Sequence, residues 1–362
     1  MAKSGLSYED IFSLPSPSGF EHRLRSFYTD YFKDKASATG IDVMGNASVV
    51  AEGGVVSQKL MLISHLDEVG FLVSGIEDDG FIRIKVLGSI DRSLIQGKVV
   101  DILASSGTIR GITGKKPIHY MSSSEEGQVG PIEEMYVDIG SRSRKDSESL
   151  VSLGDPAVWS TDVVRLKNNV VAARGVDNRV SVYIMMRVME NVLSARKKAA
   201  EDRVTLSKHY IYGVLSSMEE VDSSSSAYVA ASNIRPSACI VLETEECSDY
   251  PDAEGSGISI FGGPVIDKGV LINRALSNYI ANTAAALRIP YQVVVSESST
   301  ATDVDDVRKA AGGIPCALVS IPIRYMHSPV SLFDTKVVEK TIKLLTHVCE
   351  NIHTGVSSFL PK

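Results

Sequence analysis

Apolar residues follow two different rhythms along this chain, and the change between them divides it into parts. Near the start, Leu24, Phe27, Tyr28, Tyr31 and Phe32 recur at helical spacing, which predicts an amphipathic helix from about Glu21 to Asp34. The turn-rich stretch Leu14-Pro15-Ser16-Pro17-Ser18-Gly19 precedes it. Lys59 to Ser64 is a short apolar run that reads as a buried strand, and it leads straight into His65-Leu66-Asp67.

From Phe71 to about Asp162 helical periodicity is almost absent. Short alternating runs take over, such as Phe81 to Val86 and Val99 to Ala104, broken by turns like Ser105-Ser106-Gly107. Such a block predicts a small all-β barrel, with the polar Ser122 to Gly130 segment as a mobile loop. After Val164 strands and helices alternate again. A long apolar-faced helix follows Asp177, and strands are expected at Tyr210–Leu215, Ala238–Leu242, Val293–Val295 and Ala317–Ile321. Further helices are expected over Asn273–Leu287 and Lys336–Ile352. This alternation predicts an α/β fold, a mostly parallel sheet with helices on both faces. The expected organisation is one α/β domain over residues 1–70 and 164–362, split by an inserted β-barrel domain over residues 71–163. The serine run Ser223 to Ser226 is the only low-complexity tract.

Composition removes several function classes. With 44% hydrophobic and 22% charged residues, the chain can bury a full core and stay in solution. A formal net charge of -7 argues against a nucleic-acid partner, because phosphate backbones select basic surfaces. Met1 to Asp10 is too polar for a signal peptide, and no apolar run is long enough to cross a bilayer. The four cysteines, Cys239, Cys247, Cys316 and Cys349, lack CxxC spacing and read as reduced thiols of a cytoplasmic protein.

The candidate chemistry is a set of His and carboxylate residues beside the predicted strands. His65 and Asp67 lie two apart at a strand end, a spacing that lets the carboxylate orient the imidazole. Asp177 opens the long helix, where an aspartate is ordinarily an N-cap but could also bridge two metals. Glu219 and Glu220 follow an apolar strand; they converge on one site only if the chain bends there, and are otherwise a solvated loop. Glu243 is expected just after one strand, and His327 just after another. Singly, each residue has an ordinary explanation. Together, four of the five candidate ligands follow predicted strands, where open α/β sheets gather their ligands. Two histidines and three carboxylates form a mixed N/O set suited to zinc, cobalt or manganese.

The chain resembles the M42 family of metallo-aminopeptidases nearly end to end. The resemblance is carried by Pro17-Ser18-Gly19-Phe20-Glu21, Ser64-His65-Leu66-Asp67-Glu68-Val69-Gly70-Phe71 and Ile112-Thr113-Gly114-Lys115-Lys116-Pro117-Ile118-His119. It continues at Val137 to Ser141, Gly154-Asp155-Pro156, Gly175-Val176-Asp177-Asn178-Arg179, Glu219-Glu220-Val221 and Arg324 to Pro329. The resemblance implies two divalent metal ions per subunit, His65 and Glu243 on one, Glu220 and His327 on the other, with Asp177 bridging. It implies that Glu219 is the general base, that Asp67 partners His65, and that metal-activated water attacks the first peptide carbonyl of a peptide substrate. It further implies a PDZ-like inserted barrel and a homo-oligomer, commonly a tetrahedral dodecamer.

Three positions depart from the family pattern. Glu243 stands where an aspartate is common. Asp222 to Ser226 replaces a Gly-x-x-Gly stretch, and Thr300-Ala301-Thr302-Asp303 replaces a Gly-Gly-Thr-Asp segment. The last two keep open another amide hydrolase, a deacylase or dipeptidase, on the same site, and a catalytically silent oligomeric scaffold. A glycosidase using Glu219 and Glu220 is a weaker alternative, since that chemistry needs no metal.

Overall fold

The computed structural model describes residues 5–124, 126–202, 209–222, 225–251, 253–255, 257–352 and 359. The apolar KLMLIS run forms part of an 11-residue strand, Val55–His65. It lies between His209–Ser216 and Ala238–Glu246, and Cys316–Arg324 follows; these four strands run parallel. Antiparallel strands extend the sheet on both sides, Ala38–Ile41 and Ala47–Ala51 on one and Ser331–Asp334, Val170–Ala173 and Val164–Arg165 on the other. Near-continuous burial of the Ala238–Glu246 and Cys316–Arg324 strands is what a parallel core requires.

Side-chain alternation divides the core at the Val55–His65 strand. Leu60 and Leu62 pack in the cluster that contains Val180, Ile184 and Val188 of the long helix Val176–Glu201 and Leu344 and Val348 of Thr335–Asn351. Met61 and Ile63 pack with Ala227, Ala230 and Ala231 of Ser225–Ile234. The helix expected near the start spans His22–Phe32 and buries Leu24, Tyr28 and Phe32.

The β-rich block closes into a six-stranded barrel between Gly70 and Trp159, in the order Gly70–Ile76, Ile82–Leu87, Tyr136–Asp138, Gly107–Thr113, Val99–Ala104, Pro156–Trp159. Its own core centres on Phe71, Ile82, Ile102, Val137 and Trp159. The loop expected at Ser122 to Gly130 has no helix or strand among its described residues; Glu125 lies outside them.

Three local expectations change. The serine run is not merely a polar tract, because Ser225 and Ser226 open the Ser225–Ile234 helix; Ser223 and Ser224 lie outside the described residues. Glu243 does not follow its strand but sits inside it, since the ladder with Cys316–Arg324 continues to Glu246. Asp177 is not an N-cap; Gly175, with a positive φ of 57°, precedes the helix, and Asp177 and Asn178 keep non-helical dihedrals. Among the described residues no helix is long and apolar enough to cross a membrane.

Candidate metal centre

The site lies where the parallel strands end. His65 is the last residue of its strand and is 2% exposed. Glu243 projects from the neighbouring strand, and the turn after Cys316–Arg324 brings in His327. The bend required to make Glu219 and Glu220 useful is present. Their strand stops at Ser216, Met218 takes a left-handed φ of 58°, and both glutamates open the short helix Glu219–Asp222.

All five expected ligands come together around Asp177. His65 Nε2 lies 3.2 Å from Asp177 Oδ1 and 3.3 Å from Glu243 Oε1. His327 Nε2 lies 3.1 Å from Asp177 Oδ2 and 3.2 Å from Glu220 Oε1. The two carboxylate oxygens of Asp177 are thus divided between two histidine–glutamate pairs. Ligand atoms within His65, Asp177 and Glu243, and within Asp177, Glu220 and His327, lie within 4.8 Å of one another.

The donor chemistry fits divalent cations. Imidazole nitrogens with carboxylate oxygens are the set that zinc and its first-row neighbours accept. Among the described residues buried Glu243 Oε2 has no hydrogen-bond partner, and Glu220 Oε1 faces His327 without hydrogen-bond geometry. Buried, unsatisfied carboxylate oxygens are costly unless a cation compensates them. The protonation state agrees. Burial pushes Glu219 up to about 10 and Glu243 up to about 8, and burial also raises Glu220. Burial opposes charge on His327, but its hydrogen bond to Asp177 and the Glu220 carboxylate beside it outweigh that and bring it to about 11. Burial likewise disfavours charge on Asp177, yet hydrogen bonds from His327 and His65 hold its carboxyl well below the usual range. Positive charge is in demand here, and protons supply it when no cation does.

Asp67 has a larger place than partner of His65. Its Oδ1 lies 3.3 Å from His65 Nδ1, as the spacing suggested. Its carboxylate also accepts the backbone N–H groups of Glu219 at 3.0 Å and Glu220 at 3.1 Å, and the Ser18 hydroxyl at 2.7 Å. Glu21 continues the series by accepting the Met218 N–H at 3.2 Å. Glu219 itself stands 4.0 Å from His65 Nε2.

Sequence reading missed the supports around these ligands. Asn178, inside the Gly175 to Arg179 segment, donates to Glu243 Oε1 at 2.5 Å and to the Leu242 carbonyl at 3.0 Å. Glu68 is fully buried beneath the site and accepts from Arg174 and Arg179, the latter at 2.5 Å and 2.7 Å. The charge pattern Glu68, Arg174, Arg179 was visible, but its convergence was not.

A pocket of about 590 Å³ adjoins the site and is lined by Glu219, Glu220, Val221, Ala301, Thr302 and Asp306 among others. The departing Thr300 to Asp303 segment therefore borders it. A larger cleft of about 810 Å³ runs along the Val176–Glu201 and Thr335–Asn351 helices and contains none of the candidate ligands.

A parallel-centred sheet holding this histidine and carboxylate set, with a closed barrel attached, is the architecture of an aminopeptidase, a hydrolase of peptide bonds. A family model described as M42 glutamyl aminopeptidase matches residues 45–344, and the chain belongs to that family. It is 30% identical to a lysyl aminopeptidase of Pyrococcus furiosus over 94% of this chain and 95% of that relative. A TET aminopeptidase from the marine sediment archaeon Thaumarchaeota archaeon superimposes with a TM-score of 0.88 at 25% identity, covering 97% of this chain and 98% of that one. The TET1 peptidase of Pyrococcus horikoshii, which can assemble into a tetrahedron or a large octahedral shell, matches at a TM-score of 0.81 and 25% identity, covering 95% and 98%.

Proposed function

We propose that the chain removes N-terminal residues from peptides with two divalent ions in this site, zinc or cobalt by preference and manganese next. His65 and Glu243 would hold one ion, Glu220 and His327 the other, and Asp177 both. The observation that carries the reading is the division of Asp177 Oδ1 and Oδ2 between the two histidines. Ions bound there supply Lewis acidity, polarising a peptide carbonyl and lowering the pKa of the attacking water.

Glu219 is the proposed general base. Its carboxylate lies at the wall of the adjoining pocket, within the same charge cluster as His65. It takes the proton of the attacking water and returns it to the leaving amine. Asp67 keeps His65 in one tautomer and fixes the helix start that carries Glu219. The bordering Ala301 and Thr302 favour one second reading, a deacylase or dipeptidase on the same site, since they alter the pocket and spare the ligands.

The test is Glu219→Gln assayed on aminoacyl and N-acylated chromogenic substrates. We expect both ions to be retained and aminoacyl turnover to fall by about 10²–10⁴-fold. Full activity in that variant removes the base assignment; wild-type turnover of only the N-acylated series selects the deacylase. Absence of turnover with both ions bound leaves the scaffold.

The proposal extends to organisation and setting. Residues 1–70 and 164–362 form the catalytic part, with helices over both sheet faces, and residues 71–163 a PDZ-like insert that drives homo-oligomerisation. The dodecamer solved for a TET1 peptidase makes a dodecamer the expected particle, with residues 122–130 reaching toward a neighbouring site. Four buried free thiols suit a cytoplasmic setting. A strictly monomeric particle on sedimentation removes the assembly.

A further inference from the structure

We infer that Glu246 is a positioning residue for His327, and so controls one of the two proposed metal positions without touching the other; the inference rests on the dinuclear reading above. His327 does not leave a regular element. It sits in a turn where Tyr325 and His327 both hold left-handed backbone conformations, with φ of 67° and 53°. Non-glycine residues stay there only where their surroundings hold them.

Glu246, at the end of the Ala238–Glu246 strand, does the holding on the N–H side. Its Oε1 accepts from the Tyr325 N–H at 3.1 Å and its Oε2 from the Met326 N–H at 2.8 Å. The Tyr250 hydroxyl donates to the same Oε1 at 3.0 Å and so fixes the carboxylate. On the carbonyl side, Ser328 and Ser331 hydroxyls donate to the Tyr325 oxygen at 2.6 Å and 2.8 Å. An ionised carboxylate can accept all three donors, whereas a glutamine amide presents its NH₂ to one of them. His65 and Glu243 need none of these bonds, because both are carried by regular strands.

The test is titration of the metal-free protein with Co²⁺, followed by its d–d absorption, in wild type, Glu246→Gln and Glu246→Asp. Two equivalents in wild type establish the dinuclear reading; fewer than two refute it independently of Glu246. Given two, Glu246→Gln is expected to weaken one equivalent by about 10–100-fold and to leave the other unchanged. Glu246→Asp keeps the charge and should fall between. Asp249→Asn serves as a control for general loosening, because Asp249 anchors the same segment through Arg324 Nε at 2.8 Å. It should lower Tm while both equivalents keep their affinities. Equal affinities across wild type and both Glu246 variants, or an equal loss in Asp249→Asn, overturns the inference.

Discussion

Asp67 accepts the backbone N–H of Glu219 at 3.0 Å, a bond that spans 152 residues of sequence. The same carboxylate lies 3.3 Å from His65 Nδ1, beside the Asp67 backbone carbonyl that this ring nitrogen meets at 3.2 Å, so Asp67 contacts both the imidazole and the start of the helix bearing the proposed base. Replacing Asp67 with Asn should therefore act twice. Metal affinity should fall about 10–100-fold through His65, and about 1 kcal/mol of stability should go with the lost helix-start bonds. Asp67→Asn with wild-type metal affinity would show that His65 is oriented by the backbone alone.

Asp177 should behave unlike any other ligand. Its oxygens face both histidines, so Asp177→Asn is expected to weaken both metal positions together. Glu243→Gln and His327→Ala should each weaken one. Stoichiometry measured by elemental analysis after dialysis against a fixed metal concentration separates the cases. Loss of a single ion in Asp177→Asn would contradict the bridging role.

The fold's main strands were legible because their signals are local. Lys59 to Ser64 is apolar enough to be buried on both faces, and His65 follows it directly. The supports were not legible. Glu246 acts on Tyr325, 79 positions away, and Glu68 on Arg174, 106 positions away, and nothing near them in sequence marks these partners. The Ser225–Ile234 helix begins on the serine run, with Ser225 and Ser226 at its start where serine is tolerated, and it is secured by burying Ala227, Ala230 and Ala231 against Met61 and Ile63.

Metal uptake should be proton-coupled. Without a cation, burial holds Glu243 at about 8 and Glu219 at about 10, and carboxylate partners hold His327 at about 11. Raised values mean that protons occupy these groups at neutral pH and must leave when a dication enters. Affinity should then rise with pH between about 6 and 8, roughly tenfold per unit for each proton displaced. Zinc calorimetry in buffers of different ionisation enthalpy counts those protons; a count of zero would sink the idea.

The acid limit of the metal-free fold should depend on Glu68. Burial alone would raise its pKa, but Arg174 and Arg179 overcome that and hold it at about 2, against the ordinary 4.5. A depressed folded-state pKa contributes stability that is fully present above 4.5 and is lost as pH falls toward 2. The difference corresponds to about 3 kcal/mol. Glu68→Gln removes this dependence and also strands two buried guanidinium groups, a cost of about 3–5 kcal/mol at pH 7. Denaturant unfolding in chelator should show the wild type losing stability more steeply than Glu68→Gln between about pH 5 and pH 3, so that the two converge in acid. Parallel pH profiles would mean that the carboxylate and the two arginines are not coupled in the way their contacts indicate.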